Sequence, residues 1–287
     1  MHPQYTVTET TVKGVSIHYL RTGDRHFGGQ PMGGYKQPLV YIHGFSGSGL
    51  CYLSFARDLS DRFDLVFPDL RGHGQSQGVQ PGEKTDLTAE MAEFIRSLHL
   101  KNPILGGASL GASISARIEA RYPGLVKALI LEDPAWWDPN EERPAPQPAI
   151  DDEPAQLPYD QWLLAIKTWT VEQVMDHGRA NRPSWTEPEL RAWAETVQRF
   201  DPNFLTIHDN RECDFPTVVE RIHVPTLLIT GDRERGAIVG GPLAFKAAGQ
   251  NPLIRAVHIP GAGHNVRDDN YSAFMEALQA FTRSLEE

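Results

Sequence analysis

Two patterns of apolar residues alternate along most of the chain. Short, nearly unbroken apolar runs stand at 15–23 (VSIHYLRTG), 39–45 (LVYIHGF), 63–69 (FDLVFPD), 103–108 (PILGGA), 125–134 (LVKALILEDP), 224–232 (VPTLLITGD) and 253–260 (LIRAVHIP). Between them lie segments whose apolar residues recur three and four apart, such as 50–61, 87–100 with Met91, Phe94, Ile95 and Leu98, 110–123, 241–250 and 271–287. The first pattern is that of a strand buried on both faces and the second that of a one-sided helix, so their alternation predicts a mostly parallel sheet with helices on both sides. The Gly/Pro-rich stretch 24–38 reads as loop.

The alternation stops at about Pro134 and resumes at His223. The intervening stretch opens with 134–158 (PAWWDPNEERPAPQPAIDDEPAQLP), too rich in proline for a strand, and then offers helical spacing at 159–169 and 187–200. It holds all six tryptophans, at 136, 137, 162, 169, 185 and 193. The expected organisation is an α/β core from 1–134 and 223–287, with a mainly helical cap inserted at 135–222.

One strand-to-helix junction carries candidate chemistry. Gly107-Ala108-Ser109-Leu110-Gly111 fits G-x-S-x-G, the turn that lifts a serine hydroxyl clear of a sheet edge. The turn is tight enough that small neighbours are needed, and it leaves the serine at a helix N-terminus, where the Leu110 N–H faces the space in which an oxyanion forms. A serine attacks only when a base takes its proton. Of 11 histidines, His264 in IPGAGHN follows the last predicted strand, where the Ser…acid…His chain order puts the base. His43, in HGFSG directly after a strand, is better read as shaping the loop whose Phe45 N–H is the second oxyanion donor. His73, in RGHGQS, reads as an organiser of its turn.

Taken in order, HGFSG, DLRGHGQS, GASLG and GAGH resemble the α/β-hydrolase superfamily, in its serine-nucleophile branch, over residues 14–134 and 223–285. That resemblance implies the α/β-hydrolase fold, a Ser-His-acid triad, an oxyanion hole and a capping insertion, and says little about substrate. In most members the acid follows the strand placed here at TLLITGD, within a G-D-x-D pattern; this chain has Gly231-Asp232-Arg233-Glu234 instead. Some members take it from the strand after the nucleophile helix, here LILEDP, which nominates Asp133. Among those the chain looks most like hydrolases of the N-formylmaleamate deformylase type. Asp133 is therefore the preferred acid, Glu234 the alternative and Asp232 third. Glu132 should point to the opposite side of the strand from Asp133.

Composition narrows the remainder. The net charge of −10 disfavours nucleic-acid partners. Two cysteines, Cys51 and Cys213, give neither a metal spacing nor a disulfide framework, and no apolar stretch nears 18 residues, so a cytoplasmic protein with a small-molecule substrate and no cofactor is expected. The oligomeric state is not legible. Trp136 and Trp137, three and four residues beyond Asp133, are the candidate substrate contacts, and the tryptophan-rich cap points to a small apolar or aromatic substrate, although most of these rings also suit the cap's own core. Acyl C–O or C–N hydrolysis of an ester, lactone, carbamate or amide is the expected activity. The alternatives are a carbon–carbon bond hydrolase of aromatic degradation and a non-catalytic small-ligand receptor on the same scaffold. Haloalkane dehalogenases and epoxide hydrolases of this fold need an aspartate nucleophile, which Ser109 opposes.

Overall fold

A computed structural model describes residues 5–23, 26–27, 30–31, 36–136, 158–182, 185–209, 215 and 217–286. The apolar runs form an eight-stranded sheet: β1 (Thr6–Val12), β2 (Val15–Arg21), β3 (Gln37–Ile42), β4 (Phe63–Pro68), β5 (Ile104–Ala108), β6 (Ala128–Glu132), β7 (Thr226–Thr230) and β8 (Ile254–His258). The spatial order is β1-β2-β4-β3-β5-β6-β7-β8. Strand β2 runs antiparallel to both of its neighbours, and every pairing from β4 through β8 is parallel.

The period of two explains why the runs are apolar throughout. In β3, Leu39 and Tyr41 enter one core and Val40 and Ile42 the other, all fully buried. The first core is closed by α1 (Leu53–Leu59), through Phe55 and Leu59. The second is closed by α2 (Leu87–Ser97), through Met91, Phe94 and Ile95, and by α3 (Leu110–Arg121), through Ile114 and Ile118. Between β6 and β7 come α4 (Tyr159–Ala165), α5 (Val171–Asn181) and α6 (Glu187–Arg199). Helix α7 (Gly240–Gln250) joins the second core, and α8 (Tyr271–Ser284) closes the first with Phe274, Leu278 and Phe281.

From β3 the chain steps outward to β4, then returns across β3 to β5. The connections after β3 and β5 therefore leave on opposite sides, opening a crevice beyond the carboxyl ends of these adjacent strands, the usual ligand position in an open α/β sheet. The loop His43–Ser46 and residue Ser109 sit there.

Two elements go beyond the sequence reading. Strand β1 is an exposed edge with few apolar residues, held by a two-residue turn at Lys13 and Gly14, both at positive φ (50° and 80°). Helix α5 is announced by a capping box, Thr170 and Gln173 exchanging side-chain and backbone hydrogen bonds, rather than by a strong apolar stripe. Among the described residues no helix is long and apolar enough to cross a membrane.

Candidate active site

Ser109 occupies the turn from β5 into α3 with φ 53° and ψ −115°, a strained conformation for a residue with a side chain. Its N–H donates to the Glu132 carbonyl at 2.8 Å, and its own carbonyl accepts from Ser113 N at 3.0 Å and Ala135 N at 3.3 Å. The flanking glycines are required by contact. A Cβ on Gly107 would stand 2.5 Å from the Gly111 carbonyl carbon, and one on Gly111 would stand 2.1 Å from the Ile42 oxygen. Helix α3 thus lies so close to the end of β3 that only hydrogen fits between them.

The Ser109 hydroxyl lies 2.9 Å from His264 Nε2, and His264 Nδ1 lies 2.6 Å from Asp133 Oδ2. Asp133 is fully buried, one residue past β6, with φ 36°. Its Oδ1 also accepts from Thr230 Oγ1 at 2.8 Å and Val239 N at 3.0 Å, and its Oδ2 from Ile238 N at 2.8 Å. The loop after β7, where the superfamily more often places an acid, here supplies donors to Asp133. Glu234 is exposed on a single helical turn of that loop. Asp232 faces His258 Nε2 at 2.8 Å and accepts from Gly261 N at 2.7 Å. Neither is bonded to His264. Burial alone would lower the His264 pKa, but the hydrogen bond and charge of Asp133, joined by the charges of Glu132 and Asp269, raise it above 6.5.

The loop after β3 runs alongside. A Cβ on Gly44 would be 3.3 Å from Ser109 Cβ, so the backbone entering Phe45 passes next to the hydroxyl-bearing residue. Among the described residues no protein group accepts from the N–H of Phe45 or of Leu110, the first residue of α3. His43 and His73 brace this loop reciprocally. Leu70 N donates to His43 Nε2 at 2.9 Å, and Ser46 N donates to His73 Nε2 at 3.2 Å. Their other ring nitrogens meet the carbonyls of Gly44 at 2.7 Å and Arg71 at 3.0 Å. Burial lowers both pKa values, that of His73 to about 3, so both rings stay neutral and keep an acceptor nitrogen.

Beneath the site, Glu132 turns to the side of β6 opposite Asp133. Its carboxylate accepts from Tyr41 OH and from Arg267 N, each at 2.8 Å, tying β3 to the segment that follows His264. Above it, α4 hangs Tyr159 over the β3 loop. The Tyr159 hydroxyl is 2.5 Å from Ser46 Oγ, and the Phe45 ring is 6.1 Å from that of Tyr159, 5.2 Å from Phe200 and 5.9 Å from Phe204. These rings, and the Thr230, Ile238 and Val239 donors, escaped the sequence reading, since backbone donors and long-range ring contacts leave no motif. Trp136 is 4% exposed and tilted against Phe215 at 5.9 Å, so most of its surface is spent on packing. Trp137 lies outside the described residues. Trp162, stacked between Tyr159 and Trp193 at 5.7 and 6.0 Å, belongs to the helical segment's own core.

The chain is similar to proteins of one family. The sequence model of the Alpha/beta hydrolase family matches residues 39–277. The AB hydrolase superfamily protein YisY of Bacillus subtilis is 29% identical over 70% of this chain and 76% of its own length. The 2-(acetamidomethylene)succinate hydrolase of Mesorhizobium japonicum is 24% identical over 85% of this chain and 87% of its own. Among solved structures, N-formylmaleamic acid deformylase from Pseudomonas putida S16 superposes with a TM-score of 0.73 at 18% identity, covering 95% of this chain and all (100%) of the other. Carboxylesterase CesB of Bacillus subtilis superposes with a TM-score of 0.69 at 19% identity, covering 97% and 92%. The likeness of these structures is one of fold; the family match spans most of the chain, which therefore belongs to the alpha/beta hydrolase family and is an enzyme of the hydrolase class.

Proposed function

We propose that this hydrolase cleaves an acyl C–O or C–N bond of a small apolar or aromatic substrate through a covalent acyl-enzyme on Ser109. The observation that carries the reading is the unbroken contact from Asp133 through His264 to Ser109, at 2.6 and 2.9 Å. His264 takes the hydroxyl proton as Ser109 Oγ attacks the carbonyl carbon. The developing oxyanion is received by the N–H groups of Phe45 and Leu110, the second at the positive end of α3. His264, now cationic beside Asp133, passes the proton to the leaving oxygen or nitrogen. Water then enters, gives its proton to His264 and releases the acid. Residues 135–222 act as the cap, whose Tyr159, Phe200 and Phe204 close the site around Phe45 and favour an apolar acyl or leaving group. The names of two relatives, an acetamido-compound hydrolase and a deformylase, support amide bonds among the substrates.

A fluorophosphonate probe tests the reading directly. The wild-type protein should form one covalent adduct on Ser109, and Ser109→Ala should neither label nor turn over any member of a panel of aryl and alkyl esters, lactones, carbamates and amides. Undiminished turnover by Ser109→Ala would sink the proposal.

A further inference from the structure

The segment between β6 and β7 holds two arginines three residues apart with opposite fates. Arg179 is on the surface and bonded to three carboxylates, Glu172, Asp176 and Glu187. Arg182, just past the end of α5, turns inward. Its backbone N–H caps the helix on Gly178 O at 2.7 Å, and its guanidinium carbon lies 4.3 Å from the Trp185 ring centroid and 5.0 Å from that of Trp193. Its Nε is buried with no hydrogen-bond partner, and among the described residues no carboxylate pairs with it. Burial lowers its pKa, although the side chain keeps some contact with solvent, a combination expected on the wall of a cleft.

The place of that wall can be fixed from its neighbours. Trp193 stacks on Trp162 and Trp162 on Tyr159, whose hydroxyl touches Ser46 beside Phe45. On the other side the guanidinium feels the charges of Asp268 and Asp269, four and five residues after His264. Both of these carboxylates are engaged elsewhere: Asp268 with Arg267 at 2.8 Å, and Asp269 with the N–H of Gly263 at 2.7 Å. Arg182 therefore lies within electrostatic reach of Tyr159, whose hydroxyl touches Ser46 next to Phe45, and of Asp268 and Asp269 on the segment that follows His264. The tryptophans occupy the flat face of the guanidinium, whereas its N–H fork lies in the plane and can still grip a carboxylate with two bonds. A desolvated cation with no carboxylate bonded to it is costly, and an anionic ligand would complete it.

We infer that Arg182 anchors a carboxylate of the substrate, so that the site takes acyl compounds bearing a free carboxylate several bonds from the scissile carbonyl. The inference rests on the hydrolase site being where we have placed it, and it adds the substrate's charge. The overall charge of −10 repels anions, so a preference for them has to arise locally.

The test compares 4-nitrophenyl hydrogen adipate with 4-nitrophenyl methyl adipate, which carry the same scissile ester and differ at the far end, a carboxylate in one and its neutral methyl ester in the other. The wild-type enzyme should favour the anion in kcat/KM by about 10- to 100-fold, the range of a charge-assisted hydrogen bond. Arg182→Met should remove that ratio, chiefly through KM, and Arg182→Lys should retain part of it, with circular dichroism and melting confirming that both variants fold. A wild-type ratio near one, a ratio unchanged in Arg182→Met, or an equal fall with both esters would overturn the inference. Calorimetry on Ser109→Ala with monomethyl adipate and dimethyl adipate separates this from the catalytic reading. Tighter binding of the monoanion, lost on adding Arg182→Met, supports the anchor even if neither ester is hydrolysed and Ser109 does not label. Equal binding of the two overturns the anchor even if Ser109 is shown to be the nucleophile.

Discussion

Asp133 and Glu132 are adjacent in sequence and opposite in direction, and each sets a different property of His264. The Asp133 carboxylate holds hydrogen bonds from Thr230, Ile238 and Val239 besides that with His264, so its plane cannot turn. In Asp133→Asn one acceptor oxygen becomes an NH₂ facing donors, and the imidazole loses its orienting partner; kcat should fall by about 10⁴-fold. Glu234→Gln, on an exposed turn, should change kcat by no more than about twofold. Steady-state kinetics on a labelling-competent preparation decides between them, and a large loss in Glu234→Gln with none in Asp133→Asn would reverse the assignment. Glu132 acts at longer range. Its charge helps to raise the His264 pKa, and only the neutral imidazole can accept the Ser109 proton, so kcat/KM should fall as pH drops through a value above 6.5. Glu132→Gln keeps the contacts to Tyr41 and Arg267, since the phenol oxygen can accept from the amide, but removes the charge. Its pH–rate profile should shift to lower pH on the acid limb; an unmoved limb would show that Glu132 only holds the segment after His264.

At the scale of elements, the elbow works because β5, α3 and β3 meet without side chains between them. Gly111→Ala forces a Cβ to within 2.1 Å of the Ile42 oxygen and should destabilise the protein by about 2 kcal/mol or more, read by urea denaturation. The same change at Gly249, in α7 with nothing within 4 Å, should stabilise by about 0.5–1 kcal/mol. Had the glycines only served turn flexibility, the two substitutions would not differ in sign. Elements whose apolar pattern faces the core were legible in the sequence: β3 to β8, α2, α3 and α8 all lie where the runs placed them. Strand β1 and α5 were not, because one is an edge with little to bury and the other earns its start from a capping box. Residues 137–157, expected from the sequence to open a cap, fall outside the described residues.

For the molecule as a whole, the chain itself determined the fold family and nominated Ser109 and His264, which the structure brings to 2.9 Å from each other. Alternating runs fix a doubly covered parallel sheet, and a strand–turn–helix with glycines two positions either side of a serine has few other uses. The sequence left Asp133, Glu234 and Asp232 open as the acid, and in the structure Asp133 is the one of the three that is hydrogen-bonded to His264. A triad is defined by where side chains converge, and Asp133 meets His264 because β6 and β7 lie side by side, with Thr230 at the end of β7 and Ile238 and Val239 in the loop after it all donating to that carboxylate. The bracing of Ser46 by His73, the burial of Trp136 against Phe215 and the inward turn of Arg182 were likewise decided in three dimensions. Each joins residues 27 or more positions apart, or sets which way a side chain turns, and no local pattern records either.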